Sequence, residues 1–191
     1  MLIDQVLDLA RIEAGKLALS VEPVSLASVL EETLPMVQHL ATQRGIAPIS
    51  VEVGECRVIA DYGRLKQVIL NLLSNAIKYN VPGGSVTVSA AAGDGRVRIA
   101  VTDTGRGIPP ARLRELFQPF SRLGVESAAI EGTGIGLAVS KRMVEAMAGD
   151  IDVESAEGGG STFYVTLPEA PADAPENAAP AKPLVALPLD P

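Results

Sequence analysis

The chain is poor in the residue types that mark most specialised chemistries. A single cysteine, Cys56, leaves no partner for a disulfide and no cysteine cluster for a metal. Positive charge is scarce too: 16 Lys and Arg against 23 Asp and Glu give a formal net charge of -7. That balance argues against an electrostatic nucleic-acid footprint. No apolar run approaches the roughly 20 residues that span a bilayer, and no signal peptide opens the chain. The expectation is a cytosolic chain, or a cytosolic piece of a larger one. What is present is ordinary for a globular protein: 191 residues, 47% hydrophobic and 20% charged, enough for one domain with a real core.

The sequence divides into three parts. Residues 1–16, "MLIDQVLDLARIEAGK", read as one helix with Leu2, Ile3, Val6, Leu7, Leu9 and Ala10 on its apolar side and Gly15 at its end. Residues 17–168 alternate helical and strand-like stretches. From 169 to 191 the proline- and alanine-rich "EAPADAPENAAPAKPLVALPLDP" cannot pack a core and reads as a disordered tail. Within the middle part we expect helices over 26–43, 62–79 and 135–147, and strands near 46–53 and 56–60. Hairpins are expected across Gly93 and Gly95 and around the glycines 158–160. Such a mixture, without regular crossovers, favours a mixed sheet with helices on one face.

In "RVRIAVTDTGRGIPP", Val97, Ile99, Val101 and Asp103 share one parity and point to one face. If the apolar face meets the helices, Asp103 stands at the inner edge of the core. A buried carboxylate needs a partner, and no basic residue adjoins it locally. A ligand offering N–H donors would satisfy it, with Gly105 and Gly107 letting a flat ring approach the backbone. A capping aspartate in a turn would look the same.

The helix "YGRLKQVILNLLSNAIKYN" buries Leu65, Val68, Ile69, Leu72, Leu73, Ala76 and Ile77 on one broad face. Arg64, Gln67, Asn71, Ser74, Asn75 and Lys78 gather opposite. A polar stripe is usually a solvated face, yet asparagine is a weak helix former. Amide oxygens can ligate a hard cation such as Mg²⁺, and a lysine beside them can meet phosphate. Further on, Gly132, Gly134 and Gly136 lead into an apolar helix, whose free N–H groups attract phosphate. The spacing matches neither a Walker loop nor a Rossmann fingerprint. Between the two glycine segments lies a long stretch, 109–131, with Phe117, Phe120 and Arg122, which reads as a lid anchored by its aromatics.

Taken in order, "NLLSNAIKY", "DTGRGI", "FQPFSR", "GTGIGL" and "GGGSTF" resemble the asparagine, glycine and phenylalanine boxes of sensor histidine kinases. The opening "LIDQVLDLARIEAGKLAL" is similar to the second helix of their dimerisation hairpin. The resemblance spans residues 1–168 and implies the Bergerat ATP-binding fold, an α/β (α+β) two-layer sandwich with a mixed, mostly antiparallel sheet. It further implies ATP and Mg²⁺ as cofactors. Asp103 would accept the adenine amino group, with Gly105, Gly107 and Ile108 beside it and Thr162 near. Asn75 would hold Mg²⁺ with Asn71 nearby; these two and Lys78 would be the catalytic set. Lys78 and Arg122 would meet phosphates, Tyr79 would lie beside the nucleotide, and Thr133, Gly134, Gly136 and Leu137 would line the phosphates.

One departure matters. The family's phosphoacceptor histidine sits on the first hairpin helix, which this sequence lacks. The only histidine, His39, stands in "MVQHLATQ" without an acidic neighbour after it, and reads as an ordinary helix residue. The partners implied are the hairpin carrying that histidine, a response regulator or receiver domain, and a second copy through residues 1–16. The alternatives are an ATPase or serine-directed kinase of the same superfamily, or a non-catalytic nucleotide-binding module. Against the ATPase stands Asn71, which cannot act as a base toward water.

Overall fold

The computed structural model describes residues 18–119 and 134–171, together with Leu7. All of the helix expected over 1–16 but Leu7, and most of the expected tail, therefore lie outside the described residues. In chain order the elements are β1 (Val21–Ser25), α1 (Leu26–Gln43), β2 (Ser50–Glu52), β3 (Arg57–Asp61), α2 (Tyr62–Lys78) and β4 (Val86–Gly93). There follow β5 (Arg96–Asp103), α3 (Pro110–Leu113), α4 (Gly136–Ala146), β6 (Asp150–Ala156) and β7 (Gly160–Pro168).

Five strands form one sheet in the order β2-β4-β5-β7-β6, and β1 and β3 pair separately. Among the described residues, only β2 against β4 is parallel and every other pairing is antiparallel. This is the mixed, mostly antiparallel two-layer arrangement expected. Asp94 and Gly95, both at positive φ (55° and 70°), join β4 to β5 as a two-residue turn whose twist suits a hairpin.

The helical layer is centred on α2, which packs between α1 and α4. Leu65, Val68, Ile69, Leu72, Leu73, Ala76 and Ile77 are all buried, so the whole apolar face read from the period is in the core. They meet the inward residues of the sheet, among them Val88, Val97, Ile99, Val101, Val165 and Leu167. Each fully buried aliphatic side chain contributes about 1.5–3 kcal/mol. Asp61 caps α2 by accepting the Arg64 N–H at 3.0 Å, and its second oxygen accepts the Ser20 N–H at 2.9 Å. One carboxylate thus fixes both the start of α2 and the entry to β1.

Three local differences from expectation have plain causes. The strand expected over 46–53 shortens to Ser50–Glu52, because the Ile46 N–H bonds the Ala41 carbonyl at 3.0 Å and belongs to the exit of α1. Pro48 has no N–H to give a ladder. β1 was not expected at all; Pro23 and its brevity hide it, and its partner β3 lies far along the chain. At the other end Glu169 bridges Val58 and Ala170 is 7% exposed, so the chain stays on the body two residues beyond Pro168.

Candidate functional site

The alternation of β5 carries Val97, Ile99 and Val101 inward, and Asp103 follows them to 5% exposure. Its Oδ1 accepts the Gly105 N–H at 2.8 Å, and the Ser161 main chain donates as well. Burial pushes the Asp103 carboxyl above the ordinary aspartate range, and these two main-chain bonds pull it part of the way back. No ion pair to Asp103 exists among the described residues. A carboxylate has room for further donors beyond these, so an N–H-bearing ligand fits it.

Opposite Asp103 in the β5–β7 register stands Ser161, while Thr162 pairs with Thr102. Ser161 is 7% exposed on the inner side, and its Oγ lies 2.9 Å from that of Ser155. Thr162 faces the other side of the sheet, its Oγ1 3.1 Å from the Thr102 Oγ1. Thr162, expected near Asp103, lines the same cleft as it, while Ser161 is the residue that shares its face of the sheet. A one-residue step along a strand reverses the face.

The glycines beside Asp103 are required by the chain itself. A Cβ on Gly105 would fall 2.5 Å from the Tyr79 carbonyl oxygen and 2.7 Å from Asp103 Oδ1. Gly107, at φ 65°, presses on the Ala156 carbonyl so closely that no Cβ fits. On its Cβ side Gly107 is approached closely by the β6–β7 turn. Gly105 does border the carboxylate. Ile108 is buried, and its N–H donates to Ser155 Oγ at 2.8 Å; that hydroxyl donates in turn to the Gly160 carbonyl at 2.8 Å. Strand end, loop and turn are therefore tied into one unit around Asp103.

The polar side of α2 faces the start of α4. Asn71 Nδ2 donates to Ser140 Oγ at 3.0 Å, and a Cβ on Gly136 would fall 2.5 Å from Asn71 Oδ1. Asn75 and Lys78, half-buried, make no side-chain hydrogen bond or ion pair among the described residues. Arg44 donates to the Lys78 carbonyl at 3.0 Å, holding the end of α2 against α1. Tyr79 receives the Arg106 N–H on its carbonyl at 3.3 Å, and the Arg106 guanidinium lies 5.1 Å from the centre of its ring. Gly134 has φ 70°, Leu137 packs on the core, and α4 starts at Gly136 with no side-chain cap.

The structure thus brings Asp103, Gly105, Ile108 and Tyr79 together at one end and Asn71 to Gly136 at the other. Arg122 and Thr133 lie outside the described residues, as does Phe120. Phe117 packs on the core with the Lys141 ammonium 5.3 Å from its ring centre. Sequence reasoning missed Ser161, Ser155, Arg106 and Ser140. Ser161 was legible from strand parity once β7 was paired with β5, and Ser140 stands one helical turn after Gly136. No group of three or more His, Cys, Asp or Glu able to hold a metal exists among the described residues. A cation here would rest on amide oxygen and on ligand phosphate, a donor set that suits Mg²⁺. No helix of the described residues is long and apolar enough to cross a membrane.

Comparison with known proteins identifies the family. Residues 60–171 match the family described as histidine kinase-, DNA gyrase B- and HSP90-like ATPase. The circadian input-output histidine kinase CikA of Synechococcus elongatus is 41% identical over 174 residues, covering 88% of this chain and 23% of that protein. The virulence sensor protein BvgS of Bordetella bronchiseptica is 39% identical over 202 residues, covering 97% of this chain and 16% of its own length. The chain therefore spans less than a third of these curated relatives. The crystal structure of full-length ShkA in complex with AMPPNP superposes with a TM-score of 0.78 at 35% identity, over 91% of this chain and 36% of that one. With 112 of its residues inside that match, the chain belongs to the family of histidine kinase-, DNA gyrase B- and HSP90-like ATPases.

Proposed function

We propose that this chain is the ATP-binding catalytic domain of a two-component sensor histidine kinase, and that it transfers the γ-phosphoryl of ATP to a histidine outside itself. The observation that carries this reading is the pairing of a buried, cation-free Asp103 with an amide-and-lysine stripe on α2. The carboxylate accepts an exocyclic amine and so selects adenine. Ser161, on the same face, is the hydroxyl placed to assist it. Asn75 offers amide oxygen to Mg²⁺, and Lys78 offers an unpaired ammonium to phosphate. Held there, Mg²⁺ would supply charge neutralisation to the phosphates.

Phosphoryl transfer needs chiefly positioning and charge neutralisation from the protein. Hydrolysis needs a base for water. At Asn71 an amide stands, its nitrogen held by Ser140, and it takes no proton. Transfer to a side chain supplied by a partner is the better match to these groups. The acceptor is a histidine on a dimerisation hairpin, and the phosphoryl passes on to a response regulator or receiver domain. Adenine nucleotide and these partners put the domain on the cytoplasmic side of any parent kinase. His39 is exposed on α1 and lies 2.8 Å from the Gln43 amide, away from this role.

The test is incubation with Mg-ATP, alone and with a separate hairpin bearing the acceptor histidine. Alone, the chain binds nucleotide and gains no acid-labile phosphate. With the hairpin, acid-labile phosphate accumulates on the hairpin, slowly, because the tether that raises effective concentration to about the mM range is missing. Strong phosphorylation of the isolated chain that disappears in His39→Ala would contradict the reading.

A further inference from the structure

Ser140 is among the few polar side chains buried in the described residues, at 3% exposure, and its hydroxyl accepts the Asn71 Nδ2–H. A serine inside a helix contributes little to the helix itself. Here its partner lies on another element, α2, across the helix–helix contact. Gly136 and Ser140 stand one turn apart on α4, so they share a face, and both meet the same Asn71 amide.

The two ends of that amide have opposite chemistry. Only the oxygen can face a cation, and only the nitrogen can donate. Two features of α4 select the same orientation. Ser140 takes the nitrogen. The first turn of α4, where free N–H groups carry partial positive charge, favours the oxygen beside Gly136 and disfavours an NH₂ there. A side chain at 136 would occupy the place of that oxygen.

We propose that Ser140 is a positioning residue for the metal-and-phosphate end of the site. By holding Nδ2 it turns Asn71 Oδ1 toward the N-terminal turn of α4, and it locks the α2 stripe to the glycine-led helix. This rests on the nucleotide reading given above. Ser140 touches neither nucleotide nor metal; its effect passes through Asn71.

The experiment uses the full chain and measures ATP binding as Mg²⁺ is titrated, beside ADP binding without metal, which rests on the Asp103 end. In Ser140→Ala the Mg²⁺ needed for half-maximal ATP binding rises about tenfold, as expected for one lost hydrogen bond in a buried site. Ser140→Cys, nearly the same size and a weak acceptor, falls between wild type and alanine. Metal-free ADP affinity stays the same in both. An unchanged Mg²⁺ requirement in Ser140→Ala overturns the proposal, as does an equal loss of metal-free ADP binding, which would mark a structural role. Asn71→Ala separates the two levels. If it raises the Mg²⁺ requirement and Ser140→Ala does not, the positioning role alone fails. If Asn71→Ala itself changes nothing, the nucleotide reading of the stripe fails and the positioning role with it.

Discussion

At the end of β5, the groups around Asp103 are held mainly by bonds from within the chain. Gly105 and Ser161 donate to the carboxylate, Ser155 links Ile108 to Gly160, and Gly107 seats against the Ala156 carbonyl. Along the polar side of α2 the situation is the reverse. Asn71 is held by Ser140, yet Asn75 and Lys78 have no side-chain partner among the described residues. One end of the site is a buried carboxylate tied into its surroundings by main-chain bonds. The other is a set of half-buried amide and ammonium groups, which the proposed function assigns to Mg²⁺ and phosphate. A rigid recognition end and an open charge end are what selective binding followed by phosphoryl transfer requires.

Breaking the rigid end has the largest expected effect. Gly107→Ala places a methyl on the Ala156 carbonyl at a left-handed φ. The backbone conformation alone costs about 1–2 kcal/mol. Overpacking adds about 1–3 kcal/mol. Gly83→Ala, at φ 79° with open space around its Cβ, bears only the first of these. Urea unfolding of the two variants measures the difference, and equal losses would show that the Gly107 contact is not rigid.

Next comes the open end. Asn75→Ala lowers the affinity for Mg-ATP by about tenfold or more, on the scale of 1.5–3 kcal/mol for a bond to a charged group. Metal-free ADP binding is unchanged. Calorimetric titration with and without Mg²⁺ separates these, and equal losses in both would remove Asn75 from the metal.

Acidity distinguishes the ends again. The Asp103 carboxyl is raised by burial, so the fold holds its proton more tightly than the unfolded chain does. Its contribution to stability is therefore present at low pH and lost as pH rises through its raised folded value. Nucleotide binding runs the other way, since the ionised form is the better acceptor. Affinity falls as pH is lowered, starting above the range where an ordinary aspartate titrates, and Asp103→Asn abolishes that dependence. An identical pH profile in Asp103→Asn would contradict this.

The smallest effects lie on β7. Ser161→Ala weakens nucleotide binding by the worth of about one neutral hydrogen bond, ~1 kcal/mol. Thr162→Val leaves it untouched, since its hydroxyl meets Thr102 on the far face. The opposite ranking would make Thr162 the hydroxyl that assists the nucleotide.

How much of this was legible depended on the range of the contact. The apolar face of α2 was complete in the sequence because a helical period is a local signal, and all seven residues are in the core. Asp103 was legible for the same reason, through the parity of its own strand. Ser161 was not, because its facing depends on the β5–β7 register, set by residues some 60 positions away, and a step of one reverses it. The glycines were legible only in part. Their spacing announced a close approach, while the partner at Gly107 proved to be the Ala156 backbone. β1 stayed hidden because VEPVS carries a proline and few apolar residues, and its pairing with β3 is entirely non-local.

The central claim is that the Asp103 carboxylate selects the nucleotide by accepting its exocyclic amine. The direct test compares ATP with the purine riboside triphosphate that lacks this amine, in wild type and in Asp103→Asn. The account predicts that wild type favours ATP by about tenfold or more, the worth of one charge-assisted hydrogen bond. The same comparison in Asp103→Asn gives a much smaller preference in a chain that still folds. Equal binding of the two nucleotides by wild type would contradict it.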